Sequence, residues 1–312
     1  MKAEKTFSKL KDRPSYMSIL IGHKDKKVVK VLTGVRRCGK SAMLSLFSEK
    51  LLDLGVSDRQ IVRMNFESLK FDDINNYKAL YTSVEKQIVK NKKTYLLFDE
   101  IQLVEKWEKA VDSFLVDFDV DIYMTGSNAY ILSSELSTLL SGRYVEIKVL
   151  PLSFKEFLDF NTFDGHKWDE PVWNKSYWTM PIEDKFNIYL KYGGMPSLTE
   201  YKFNEQRIHE ILEGIYSTVI VKDVMQRNNI SNQSLLQRLI KYLAQNVGSI
   251  NSTNNISNYL RNEKTIEGNK KHSNKTIENY ITALENAFIF YEGKRHDIKG
   301  KEIFKTNTKN YI

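Results

Sequence analysis

The sequence predicts an α/β protein: a parallel sheet with helices on both faces, then a helical lid, then a second unit of helices and a β-ribbon. Three observations predict it. Strand-like apolar runs alternate with helical patterns between residues 27 and 151. A glycine-rich stretch, Gly34-Val35-Arg36-Arg37-Cys38-Gly39-Lys40-Ser41, joins the first run to a helical pattern. A further run, Thr94-Tyr95-Leu96-Leu97-Phe98, ends in Asp99 and Glu100. Buried parallel strands read as continuous apolar runs, and their carboxyl ends face a ligand crevice.

Residues 8–22 read as a short helix interrupted at Pro14, with Arg13, Tyr16 and Ile19 as candidates to pack against a base. The β-branched run at 27–33 predicts a strand. Residues 40–54 predict a helix, with Gly55 as its C-cap. Ile61 to Glu67 reads as a second strand. Helical spacing covers 73–90 through Ile74, Tyr77, Leu80, Tyr81, Val84 and Ile88. After the acidic strand come a helix at 104–118, a strand at 121–128, a Ser- and Leu-rich helix or loop at 129–141, and a last strand at 144–151. Residues 161–180, with Trp168, Trp173 and Trp178, read as an irregular insertion before a helix at 182–191.

The loop carries chemistry. Its glycines adopt φ angles that other residues resist, so successive N–H groups of residues 34–42 (Gly34 to Ala42) can point at phosphate oxygens. The helix N-terminus adds partial positive charge. This G-x-x-x-x-G-K-S pattern between strand and helix is the P-loop signature. It assigns Lys40 to the β- and γ-phosphates and the Ser41 hydroxyl to Mg²⁺. Asp99 is expected beside the same metal, and Glu100 to orient or deprotonate the attacking water. Cys38 sits beside Lys40 at a helix N-terminus, and both lower a thiol pKa. The plainer reading of Cys38 is a small spacer.

Thr125-Gly126-Ser127-Asn128 ends another strand of the sheet. Asn128, or Ser127, is the candidate to contact the γ-phosphate or the water, although both residue types also cap helices. Arg143 precedes the last strand. An arginine there can act as a finger on transition-state charge, in cis or across the boundary of a homo-oligomer, or can form a surface ion pair.

The second unit is basic. Residues 222–312 hold fifteen Lys or Arg against eight Asp or Glu, most of the net charge of +8. Helical segments through 205–247, around 256–260 and at 273–285 precede a strand at 288–291 and a basic hairpin, a winged helix-turn-helix order. Such a module binds duplex DNA or packs against protein. For DNA, the helix at 273–285 enters the major groove with Ser273, Asn274, Lys275, Thr276 and Asn279, and lysines within 294–309 meet phosphate.

Composition sets limits. An aromatic content of 12% predicts a folded chain, and one cysteine excludes an intramolecular disulfide framework. No stretch approaches the roughly twenty apolar residues of a membrane span. The basic N-terminus has no apolar signal core behind it, so a cytoplasmic protein is expected.

The loop motif, Leu97-Phe98-Asp99-Glu100-Ile101-Gln102, Thr125-Gly126-Ser127-Asn128, Leu140-Ser141-Gly142-Arg143-Tyr144 and Pro151-Leu152-Ser153-Phe154-Lys155-Glu156-Phe157 occur in this order. Together they resemble a family of uncharacterised prokaryotic AAA+-like P-loop ATPases. Gly193-Gly194-Met195-Pro196 resembles the Gly-x-Pro motif of the related STAND ATPases, whose proline packs near adenine. The resemblance implies ATP and Mg²⁺, and a helical lid in which Pro196 touches the nucleotide. It also implies a further C-terminal domain in relatives, so Lys305 to Ile312 reads as the start of a strand in a truncated unit. The expected domains are 1–160, an ATPase core; 161–222, insertion and lid; and 223–312, the winged-helix unit. Two functions follow: an ATPase whose cycle moves the last unit, on DNA, or a slow nucleotide switch acting through a protein partner.

Overall fold

The computed structural model describes residues 10–127, 129–132, 142–161, 180–201, 204–262, 273–293 and 308–312. The chain divides into two compact units, Met1–Ile215 and Tyr216–Ile312.

The first unit is built on five parallel strands: β1 (Val29–Thr33), β2 (Ile61–Asn65), β3 (Thr94–Asp99), β4 (Val120–Gly126) and β5 (Tyr144–Lys148). Their order is β2-β3-β4-β1-β5. Every residue of β1 and β3 is buried, so both faces of the sheet are covered. Alternation of side chains sorts them between two layers. Leu96, Phe98, Ile122 and Met124 share a core with Leu80 and Val84 of α3 (Tyr77–Glu85) and with Val111 and Phe114 of α4 (Trp107–Asp117). On the other face Tyr123 meets Phe47 of α2 (Lys40–Asp53), ring centroids 4.3 Å apart. Its hydroxyl donates to Leu20 O in α1 (Pro14–Gly22).

Local chemistry moves some boundaries from their expected places. Pro14 begins α1 rather than interrupting it, since its missing N–H is no loss at the first helical position. The helix expected over 73–90 is α3 alone, because the Asn76 side chain accepts from the Lys78 and Ala79 amides and caps it there.

At the amino end of the sheet lies a charged group the periodicity does not show. Lys30, fully buried in β1, pairs with Asp121 of β4 and donates to Lys26 O at 3.0 Å. Asp121 also accepts from the Asp25 amide and the Tyr123 hydroxyl. Burial pulls the Lys30 pKa down, against the opposing pull of Asp121, and pushes that of Tyr123 up.

Beyond β5 come α5 (Phe154–Asn161), α6 (Ile182–Tyr192) and a 3₁₀ turn, Pro196–Tyr201. Phe154, Phe157, Phe186 and Tyr189 pack edge-on or tilted between α5 and α6. α7 (Glu205–Thr218) follows.

The second unit holds a π-helical stretch (Val219–Gln226), then α8 (Gln233–Gln245), β6 (Ile250–Asn251), α9 (Thr253–Asn262), α10 (Asn274–Asn286), β7 (Tyr291–Gly293) and β8 (Thr308–Tyr311). β6, β8 and β7 form an antiparallel sheet in that order. The strand expected at 288–291 starts only at Tyr291. Phe288 takes φ +58° in the turn that ends α10, which no strand accommodates. Of the expected basic hairpin, residues 294–307 lie outside the described residues.

Candidate phosphate-binding site

The site is at the carboxyl ends of β1, β3 and β4. The chain leaves β1 through Gly34, φ +147°, where a Cβ would stand 2.1 Å from Val149 O. Only glycine passes that close to the end of β5. Arg37 (φ +66°) and Gly39 (φ +104°) complete the loop. Gly39 is also the N-cap of α2, and no side chain caps the helix. The first N–H groups of α2 therefore have no side-chain acceptor and form an anion cradle.

Lys40 is 4% exposed, and its ammonium donates to Gly34 O at 2.8 Å and Val35 O at 3.0 Å. Ser41 Oγ donates to Asp99 Oδ1 at 3.0 Å, and Thr125 Oγ1 donates to the same oxygen at 2.6 Å. A hydroxyl beside a carboxylate is a donor set for a hard divalent cation that keeps most of its water. Among the described residues no group of three or more His, Cys, Asp or Glu side chains is placed to hold a metal ion. The residues present fit Mg²⁺ held with phosphate oxygens.

Glu100 is 6% exposed and takes φ +56°, uncommon for a residue other than glycine. Its amide donates to Thr125 Oγ1 at 2.9 Å. Its Oε2 accepts from Ser127 Oγ at 3.1 Å and from the Gln102 side-chain amide. Gln102 Oε1 is buried without a hydrogen-bond partner, and it crowds Gly126. Gln102 and Thr125 were not singled out from the sequence. The signal for Thr125 was the parallel register, which pairs Phe98 with Met124 and so sets Asp99 beside Thr125.

Other expected residues fall as follows. Asn128 lies outside the described residues. Cys38 is buried and donates to Val149 O; burial pushes its thiol up, outweighing the opposite pull of Lys40 and Arg13. The spacer reading fits that environment and the reactive-thiolate reading does not. Arg13 is not available to a base. Its guanidinium is 3% exposed, pairs with Glu156 at 2.7 Å, and donates to Cys38 O, Leu150 O and Pro151 O. Ile19 is exposed, and Tyr16 accepts from the Leu150 amide. Pro196 does lie at the loop: a Cβ on Gly39 would stand 3.8 Å from its Cγ. Arg143 does not. Its carbonyl accepts from the Val29 amide at the start of β1, roughly 15 Å of strand before the loop, and its side chain pairs with Asp112 at 2.9 Å. Ser41 and Asp99 also line a cleft of about 480 Å³ with Ser45, Arg63, Asn65 and Lys70.

A family profile described as an AAA domain matches residues 26–158, and one described as a domain of unknown function matches residues 183–312. An uncharacterized protein of Haemophilus influenzae is 40% identical over 303 residues, covering 96% of this chain and 70% of the relative. An uncharacterized protein of Methanocaldococcus jannaschii is 30% identical over 286 residues, 88% of this chain and 58% of the relative. The RuvB Holliday junction branch migration motor of Thermotoga maritima overlays 90% of this chain and 88% of its own at 12% identity. Its TM-score, 0.41, is too low to carry weight. Among the described residues no helix is long and apolar enough to cross a membrane.

Proposed function

The chain belongs to one family with the uncharacterized Haemophilus influenzae protein, and from the AAA-domain match over residues 26–158 we propose that it binds ATP with Mg²⁺ and hydrolyses it. One observation carries the proposal: the hydroxyl of Ser41, the residue after Lys40, donates at 3.0 Å to the carboxylate of Asp99, the residue before Glu100. In this reading the N–H groups of Gly34, Val35, Arg36, Arg37, Cys38, Gly39, Lys40, Ser41 and Ala42 wrap the phosphates. Ser41 and Asp99 hold the metal, whose charge offsets that of the phosphates. Glu100 takes the proton of the attacking water. Pro196 packs against the base as part of a lid, and Asn128 contacts the γ-phosphate. Arg143 then serves as a finger only on a neighbouring subunit. The test is Mg²⁺-dependent phosphate release and fluorescent-nucleotide binding by wild type, Lys40→Ala and Glu100→Gln. Binding by Lys40→Ala equal to wild type would sink the reading.

In the second unit the order helix, strand, helix, helix, strand, strand supports a winged helix, and the positive charge supports duplex DNA as its partner. One observation favours the switch reading instead: two donors already occupy Glu100 Oε2, which slows a base. Anisotropy titrations of duplex DNA with ADP and with a non-hydrolysable ATP analogue separate the two. Absence of binding at low salt in both states leaves the protein-partner switch.

A further inference from the structure

The phosphate loop carries two arginines, and one of them is tethered. Arg36 donates from Nη1 to Glu67 Oε1 at 2.8 Å, with its side chain 16% exposed and that of Glu67 49%. Glu67 is fixed in the turn after β2, where its amide donates to Asn65 Oδ1 at 2.9 Å. The Lys40 ammonium lies 3.0 Å from Val35 O, the carbonyl bonded to the Arg36 nitrogen. Peptide geometry then sets the Arg36 Cα within about 6 Å of that ammonium. A guanidinium on a stem of comparable length spans the space beside Lys40 from an anchor that close. Arg143, the arginine expected from the sequence to meet transition-state charge, stands a strand length away in its own chain.

We propose that Arg36 is a catalytic arginine supplied in cis by the loop itself, parked on Glu67 before reaction and transferred to the terminal phosphate during it. The proposal rests on the ATPase reading above. In the step served, the water oxygen forms the new bond to the γ-phosphorus. The bond from that phosphorus to the β–γ bridging oxygen breaks, its electrons leave on ADP, and the water proton passes to Glu100. Charge grows on the bridging and equatorial oxygens, where a planar guanidinium binds two at once. The Glu67 pair suits a parking contact. It is partly open to water, where ion pairs are weak and exchange readily.

Steady-state hydrolysis and fluorescent-ATP binding are measured on the full chain as wild type, Arg36→Ala, Arg36→Lys and Glu67→Ala. Arg36→Ala should lower kcat by about 100-fold or more with ATP affinity changed less than about threefold, and Arg36→Lys should recover part of the loss. Glu67→Ala removes the same ion pair yet should keep or raise kcat. Equal losses in Arg36→Ala and Glu67→Ala would overturn the proposal, because a loop clamp is broken by either change. So would a kcat of Arg36→Ala within about threefold of wild type. A wild type that binds and hydrolyses no ATP defeats the ATPase reading itself, a result distinct from either.

Discussion

The Leu152 amide donates to the Gly194 carbonyl at 2.6 Å, tying the turn that leaves the sheet to the turn that brings Pro196 onto the loop. The approach is close enough that a Cβ on Gly194 would stand 2.2 Å from Leu152 O. Gly194→Ala should therefore cost about 1–3 kcal/mol of stability through forced backbone displacement. It should also weaken ATP binding by moving Pro196. Thermal unfolding and nucleotide titration check this; unchanged values for both would show that the two turns are not coupled to the site.

Glu100→Gln should bind ATP and lose turnover by about 100-fold or more. Gln102→Ala should act in the other direction. Removing one of the two donors on Glu100 Oε2 frees the carboxylate, and kcat should rise a few-fold. Phosphate release under saturating ATP distinguishes them. A Gln102→Ala protein as slow as Glu100→Gln would mean that Gln102 positions the base instead of restraining it.

Arg13 and Glu156 predict an acid-sensitive fold. Burial alone would raise the Glu156 pKa, but hydrogen bonds from Arg13 and Ser153 outweigh it and hold the carboxyl below its ordinary 4.5. A depressed carboxylate stabilises the fold above its unfolded pKa. That contribution is lost as pH falls below about 4.5 through the folded value. Denaturant midpoints followed from pH 6 to pH 3, roughly spanning that range, should fall more steeply for wild type than for Glu156→Gln. Arg13→Ala, which takes the guanidinium away from Glu156 and from three carbonyls, should cost about 3 kcal/mol at neutral pH.

On α10, two of the residues expected to read DNA have internal tasks. Ser273 is the N-cap and accepts from the Thr276 amide, and Asn274 donates to Asn254 at 2.5 Å. Ser273→Ala should thus reduce stability by about 1 kcal/mol, whatever its effect on DNA. Lys275 is exposed, and Lys275→Ala should lower the salt dependence of duplex binding by about one ion. Parallel log–log salt plots for wild type and Lys275→Ala would remove Lys275 from the interface.

What the sequence made legible was local. The β-branched run before Gly34 and the apolar run before Asp99 are strands because their residues are buried on both faces, a pattern written in consecutive positions. Lys30 breaks that pattern and is buried nonetheless, since its counter-ion comes from Asp121, ninety-one positions away. Arg13, a candidate to pack against a base, is taken up elsewhere for a similar reason: its partner, Glu156, is separated from it by 143 positions. Gln102 was hidden by its single decisive atom, which matters only once Gly126 and Glu100 surround it. The edges of α3 and β7 were missed by a few residues, at one side-chain cap and one left-handed backbone position.

The strand order has a consequence for biosynthesis. β1 is made early, yet its two neighbours are β4 and β5, the last strands of the sheet to leave the ribosome. Until Tyr144–Lys148 emerges, Gly34 has no Val149 carbonyl to approach and Lys30 no finished sheet to be buried in. Pairings so distant in sequence form late, because chain closure must be met before contact rewards it. The growing chain should therefore become nucleotide-competent abruptly rather than by degrees. Stalled nascent chains ending before residue 144 should capture no ATP, while those with residues 1–215 clear of the exit tunnel should.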